Sequence, residues 1–176
     1  MDEKIYVEPM NRSHIPRIRE IERLSFSDPW PEDGFDKELE NSKVAVYFVA
    51  RLNEKVVGYI GAWMILEEAH ITTFAVDPEC RGKRLGFILL LRLMVEAISR
   101  GIHWSTLEVN EHNAAAISLY SKFGYRKISV RKKYYSGVDD AHLMWMGQMH
   151  MESFRNLIEQ FKANFSEEQL QCMGIA

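Results

Sequence analysis

Cysteine is nearly absent: Cys80 and Cys172 are the only two, far apart and outside any C-x-x-C or Cys/His spacing. Neither a disulfide framework nor a zinc site is indicated. The six histidines form no H-E-x-x-H pattern, so no metal is expected. Long apolar runs are missing as well. The longest, Phe87 to Val95, is broken by Arg92 and falls short of the ~18 to 20 residues that span a bilayer. Met1 to Lys4 leads into polar sequence rather than an apolar h-region, so no signal peptide, no membrane partner and a cytoplasmic location are the expectation. Nor is there an excess of positive charge: 22 Lys and Arg against 25 Asp and Glu give a net charge of -3, which removes the global electrostatic case for a nucleic-acid partner. Internal repeats and low-complexity segments are also lacking.

What remains is an ordinary globular composition, 176 residues with 47% hydrophobic and 27% charged, enough for one domain around one core. Ile5 to Pro9 reads as extended. Asn11 or Ser13 can cap a helix whose apolar positions are Ile15, Ile18, Ile21 and Leu24. Pro29 and Pro31 break it and leave Phe26 to Pro31 as a loop carrying Trp30. Val44 to Ala50, Val56 to Leu66 and Ile71 to Val76 are rich in Val, Ile, Tyr, Phe and Thr and read as three antiparallel strands. Asp77-Pro78 stops the third, and Leu85, Ile88, Leu89, Val95 and Ile98 form a helical stripe ending at Gly101.

Trp104 to Val109 is strand-like, Asn113 caps a short helix through Lys122, Gly124 closes it, and β-like runs follow at Tyr125 to Val130 and Ala141 to Met146. The order implies an α/β (mixed α+β) fold with a central mixed sheet of six to seven strands, antiparallel first and partly parallel afterwards. The division is residues 1–147 as the main domain and 148–176 as a helical C-terminal extension. In the extension Phe154, Leu157, Ile158 and Phe161 share one stripe, and Ser166 to Gln169 matches a capping box. Such a stripe needs a partner, either the protein's own core or an interface.

The most informative segment is Val76-Asp77-Pro78-Glu79-Cys80-Arg81-Gly82-Lys83-Arg84-Leu85-Gly86: a strand end, a turn with two glycines and three cations, and an apolar helix. Free N–H groups at a helix start together with Arg and Lys suit a phosphate or pyrophosphate. It is neither a Walker A loop nor a dinucleotide G-x-G-x-x-G. Taken by itself, such a loop also fits a plain solvated turn.

At this loop the chain resembles the GNAT acyltransferases, whose signature is [RQ]xxGx[GA] after the fourth strand. Arg81, Leu85 and Gly86 match, while Arg84 stands where the family usually has its middle glycine. The resemblance extends over residues 5–147 and is nearest to the RimI type, bacterial protein N-terminal alanine acetyltransferases. It is carried by Phe26 to Trp30, Ala75 to Pro78, Leu107-Glu108-Val109, Asn113 to Ile117, Leu119-Tyr120, Phe123 to Tyr125, Arg131, Tyr134-Tyr135 and Asp140-Ala141. Asn110 replaces the Arg that usually follows Leu-Glu-Val.

The resemblance implies acetyl-CoA as cofactor and the N-terminus of a protein or peptide, a ribosomal protein among the candidates, as acceptor. It gives Glu108 the role of base and Tyr120 that of acid. Phe74, Ala75, Val76, Arg81, Gly82, Lys83, Arg84, Leu85, Gly86, Phe87 and Asn113 would bind the cofactor, with a strand-four N–H near Phe74 to Val76 meeting the thioester carbonyl. For each there is a plainer reading: Glu108 as a sheet-face carboxylate, Tyr120 as a core aromatic with Ile117 and Phe123, Asn113 as a helix cap. Trp30, Tyr134 and Tyr135 could wall a slot for the acceptor.

Chemistry favours such an acceptor, since an α-amine of pKa ~8 is about 10% neutral at pH 7 and a lysine amine only ~0.04%, a gap of about 3 kcal/mol. The alternatives are the same fold acting on a small amine, drawn by Asp33, Glu67 and Glu68, and a CoA-binding module without turnover. A monomer and a homodimer are both compatible with the sequence.

Overall fold

The computed structural model describes residues 4–41 and 43–176; Met1 to Glu3, part of the polar lead-in read above, lie outside it, as does position 42. Seven strands form one sheet: β1 (Ile5–Pro9), β2 (Ala45–Leu52), β3 (Lys55–Ile65), β4 (Glu68–Val76), β5 (Trp104–Asn110), β6 (Arg126–Tyr135) and β7 (Asp139–Met146). Six helices accompany them: α1 (Ile15–Ser25), α2 (Gly34–Glu40), α3 (Leu85–Ser99), α4 (Ala114–Lys122), α5 (Glu152–Lys162) and α6 (Glu167–Cys172). The sheet order is β1-β2-β3-β4-β5-β7-β6. Only β4 and β5 run parallel, joined across α3, and β7 inserts between β5 and β6.

The centre of the sheet is covered on both faces, so its strands read as continuous apolar runs rather than alternating ones. In β2, Val46, Phe48, Ala50 and Leu52 point to one core with α3, and Ala45, Tyr47 and Val49 to a second core with α1 and α2. Helix α3 is buried nearly all round, from Leu85 to Ala97. On α1 the predicted stripe holds at Ile15, Ile18 and Ile21, but Leu24 is 63% exposed. Helix α2 was not foreseen. Its single buried residue, Phe35, is only seven residues' worth of signal, and it is held by stacking on Trp30 and by edge contacts with Tyr47 and Tyr59.

Phe154 and Ile158 of α5 and Met173 and Ile175 beyond α6 enter the same core as α3. A capping box at Ser166 and Gln169 starts α6, and Lys4 to Glu168, 2.6 Å, ties that end to the start of β1.

One irregularity positions everything that follows. Along β3 and β4 the register runs Gly61 with Thr73 and then Ala62 with Ile71, so Thr72 is an extra residue, a β-bulge. Before it, Ala69 and Ile71 face α3; after it, Phe74 and Val76 do. Pairing of β4 with β5 stops at Ile71–Leu107. Beyond the bulge, the edge of β4 that faces β5 has no strand beside it.

Glu22 is the buried cost of this packing. It lies on the inner face of α1, 2% exposed, and its Oε1 has no hydrogen-bond partner among the described residues. Burial raises its pKa to about 7, against opposing hydrogen bonds from the Trp30 backbone and Tyr59. A carboxyl that is raised on folding supports the folded state fully below its unfolded value near 4.5, and that support is lost as pH rises through about 7. Wild-type protein is therefore expected to lose Tm between pH 5 and 8, and Glu22→Gln to lose clearly less; parallel slopes in thermal melts would contradict this.

Candidate active site

Where β4 and β5 part, a cleft of about 1440 Å³ opens between the bulged half of β4, the N-terminus of α3, α4 and the β6–β7 hairpin. The unpaired stretch of β4 supplies N–H and C=O groups along its floor, as unspent hydrogen-bonding capacity. Phe74, Ala75 and Val76 line it.

One end is built for an anion. Asp77 caps a short 3-10 turn by accepting from the Glu79 N–H at 3.0 Å, and the chain then reaches Gly82 at φ +83 and Arg84 at φ +62. A Cβ on Gly82 would meet nothing within 4 Å, so the space above the loop is open. Arg84 is the N-cap of α3 and makes no side-chain cap, and the first intrahelical bond is Ile88 N–H to Arg84 C=O, 3.0 Å. The N–H groups of Leu85, Gly86 and Phe87 thus stay free at the positive end of a fifteen-residue helix. Arg81, whose Nε reaches the Val76 carbonyl at 3.4 Å, and Arg84 add charge.

Arg81, Gly82, Arg84, Leu85, Gly86 and Phe87 all line the cleft; Lys83 belongs to the loop but not to that wall. A diphosphate fits this donor set. Asn113 caps α4 by accepting from the Ala116 N–H at 3.1 Å, and it also lines the cleft, where its amide donor remains for a ligand. The cap reading is the one observed, and its place on the cleft wall is compatible with a ligand contact.

The middle of the cleft holds a carboxylate under tight control. Glu108, on β5, is gripped by His70 Nε2 at 3.1 Å and Arg131 at 3.0 Å, with only 8% of its side chain exposed. The hydrogen bond from His70, then the charges of His70 and Arg131, hold its pKa below the usual glutamate range in spite of burial. His70 Nδ1 lies 2.9 Å from the Thr106 hydroxyl, which donates its one proton to Glu68 at 2.9 Å. Nδ1 then donates to Thr106, so both ring nitrogens act as donors and the ring is fixed with Nε2–H aimed at Glu108.

Sequence reading placed Glu108 but missed His70 and its relay. The signal was there in period two: Glu68, His70, Thr106 and Glu108 are the partly exposed positions of two alternating strands, and His70 and Thr106 are register partners.

Tyr120 is 5% exposed, lines the cleft, and packs edge-on against Phe74 at 6.2 Å and Tyr125 at 5.6 Å. Burial pushes its pKa up, so its phenol stays protonated and available as a donor. At the far end Trp30 faces the same space as Tyr134 and Tyr135, which form an edge-on pair at 5.1 Å. Burial also raises Tyr135, to about 12.

The carboxylates considered for a small amine are elsewhere. Glu67 binds His103 at 3.3 Å, Glu68 takes the Thr106 proton and Asp33 pairs with Lys37 at 2.6 Å, and none of the three lines the cleft. A strut links the two ends: Arg17 of α1 pairs with buried Asp77, just before the anion loop.

Comparison with known proteins agrees with this geometry. The model of the acetyltransferase (GNAT) family matches residues 15–125. A Bacillus subtilis protein described as a putative ribosomal protein bS18-alanine N-acetyltransferase is 35% identical over 83% of this chain and 97% of its own. The ribosomal protein bS18-alanine N-acetyltransferase of Escherichia coli K12 is 30% identical over 78% and 94%. The crystal structure of the Escherichia coli ribosomal-protein-S18-alanine N-acetyltransferase superposes with a TM-score of 0.76 at 29% identity, covering 82% of this chain and 94% of that one. The chain belongs to the GNAT acetyltransferase family and has its fold.

Because His70 is the first cause of the depressed Glu108 pKa, its removal should free Glu108 to protonate at higher pH. In His70→Ala the acid limb of the kcat/KM profile is expected to move to higher pH than in the wild type, with Thr106→Val giving a smaller shift of the same sign. An unchanged acid limb in both variants would show that the relay does not govern Glu108.

Proposed function

We propose that this GNAT acetyltransferase moves the acetyl group of acetyl-CoA to the N-terminal α-amine of a protein, with a ribosomal protein as a fitting acceptor, by direct attack within a ternary complex. The observation that carries the reading is one carboxylate, Glu108, pinned at an open strand edge between an uncapped helix N-terminus and an aromatic slot. The relatives named for alanine N-acetylation support the acceptor class. We assign the chemistry to residues 1–147, place the protein in the cytoplasm, and treat 148–176 as an added segment.

The free N–H groups of Leu85, Gly86 and Phe87, with Arg81 and Arg84, would hold the diphosphate, and the Phe74 to Val76 edge would hold the acyl carbonyl. Acetyl-CoA supplies the acetyl group on a thioester that needs no further activation. Glu108 stays ionised and attracts the acceptor ammonium, whose pKa of ~8 already leaves a neutral fraction at pH 7. A carboxylate held below its usual range is a weak base, so Glu108 attracts and orients the ammonium and takes its proton only as the new C–N bond forms, while the His70 and Arg131 contacts hold the carboxylate in place. Tyr120 Oη, kept protonated by burial, donates to the departing sulfur. Trp30, Tyr134 and Tyr135 admit a chain end and exclude bulk on either side.

Glu108→Gln should lower kcat by ~10² to 10⁴ while CoA affinity by calorimetry stays within about twofold. Full turnover in that variant would remove Glu108 from the mechanism. Mass spectrometry of peptides should find acetyl on a free N-terminal alanine and none on the same peptide with a blocked N-terminus and a free lysine. Preferential acetylation of a polyamine instead would overturn the acceptor assignment.

A further inference from the structure

The segment that follows residue 147 reaches back to the anion loop. Helix α5 packs along α3, and Phe161 lies 5.1 Å from Phe87 and 4.9 Å from Phe123. One turn on, between α5 and α6, Phe165 sits under Arg84, with the guanidinium 4.9 Å from its ring centre and 5.6 Å from that of Phe87. Arg84 makes no ion pair among the described residues, so these two rings are what its charged head rests on. Its backbone is left-handed, φ +62 and ψ 8, which an L side chain adopts at a cost of about 1 kcal/mol or more.

That residue is also the N-cap of α3 and a wall of the cleft. A strained non-glycine cap would relax and swing its side chain into the anion position or out to solvent unless something fixed it. A cation seated on an aromatic face is worth about 0.5 to 1 kcal/mol when partly exposed, similar to the strain it must offset.

We propose that Phe165 is a positioning residue for coenzyme binding: through Arg84 it holds the 81–86 loop in its anion-binding conformation and directs the Arg84 guanidinium toward a phosphate of the coenzyme. The C-terminal segment is thus a working part of the coenzyme site, coupled to it by one cation–aromatic contact. The inference rests on the reading of the 81–86 loop as the diphosphate site. It assigns no group to the chemistry: Phe165 acts on affinity and leaves the acetyl-transfer step alone.

The test is a double-mutant cycle on the full chain, read by calorimetric Kd for CoA with Tm recorded for each variant. Phe165→Leu keeps apolar volume but has no ring face, so packing survives and the cation contact does not. It should weaken CoA about two- to fivefold, the equivalent of 0.5 to 1 kcal/mol. The same change in an Arg84→Gly background should have no effect, Phe165→Trp should bind as the wild type does, and kcat at saturating acetyl-CoA should stay within about twofold. Equal losses in both backgrounds would make Phe165 simple packing and overturn the coupling, as would wild-type affinity in Phe165→Leu. Arg81→Ala separates the two levels of the argument. If it weakens CoA while Phe165→Leu does not, this proposal falls alone; if it binds CoA as tightly as the wild type, the diphosphate reading falls and takes this one with it.

Discussion

A single inserted residue, Thr72, sets the geometry of the whole site. Were β4 regular, it would pair with β5 to its end, and the sheet would be closed where the cleft now lies. The bulge bends the strand, turns Phe74 and Val76 toward α3 and leaves the β5-facing edge at these residues without a strand partner, while β3 stays paired on the other side. Thr72 is itself held, since its hydroxyl lies 3.0 Å from the Tyr47 hydroxyl, which also reaches Glu38 at 3.1 Å. The irregularity is buttressed from the α2 side.

The cleft's electrostatics follow from where the strands deliver their side chains. One end is positive through a helix terminus, Arg81 and Arg84, with Lys122 also on the cleft wall; the middle is negative, through Glu108. Net charge of -3 over the chain says nothing of this separation. The same arrangement explains why Glu108 can be mostly buried and still ionised: His70 and Arg131 each return part of the solvation that water has lost. Arg131 comes from β6, two places along the sheet, so the site needs β7 to insert between β5 and β6 in the correct register.

Most of the fold was legible because its elements are long and strongly patterned. The Asn113 cap, the stop at Asp77-Pro78 and the apolar length of α3 are local signals, and local signals survive in a sequence. Helix α2 was not, because seven residues with one buried aromatic carry no period, and its stability comes from tertiary stacking with Trp30. In the site, the anion loop could be read from glycine and cation spacing. His70 could not be separated from any other strand histidine until its neighbour across the parallel pair was known, and Glu67, Glu68 and Asp33 looked available because their partners are distant or off-pattern. Charge in a sequence does not reveal whether it is already spoken for.

Helix α1 carries the loop with Trp30 at its end and, eight residues before that end, Arg17 locked onto Asp77. Asp77 in turn fixes the turn that launches the anion loop, and Lys55 approaches it to 3.9 Å from β3. The aromatic end of the cleft and the anion loop are therefore mounted on the same beam. An insertion within α1 would not retune acceptor choice alone; it would tilt both fixtures at once. On the proposed acceptor reading, variation in preference should accordingly accumulate beyond Ser25, in the loop itself, and leave the beam's own length untouched.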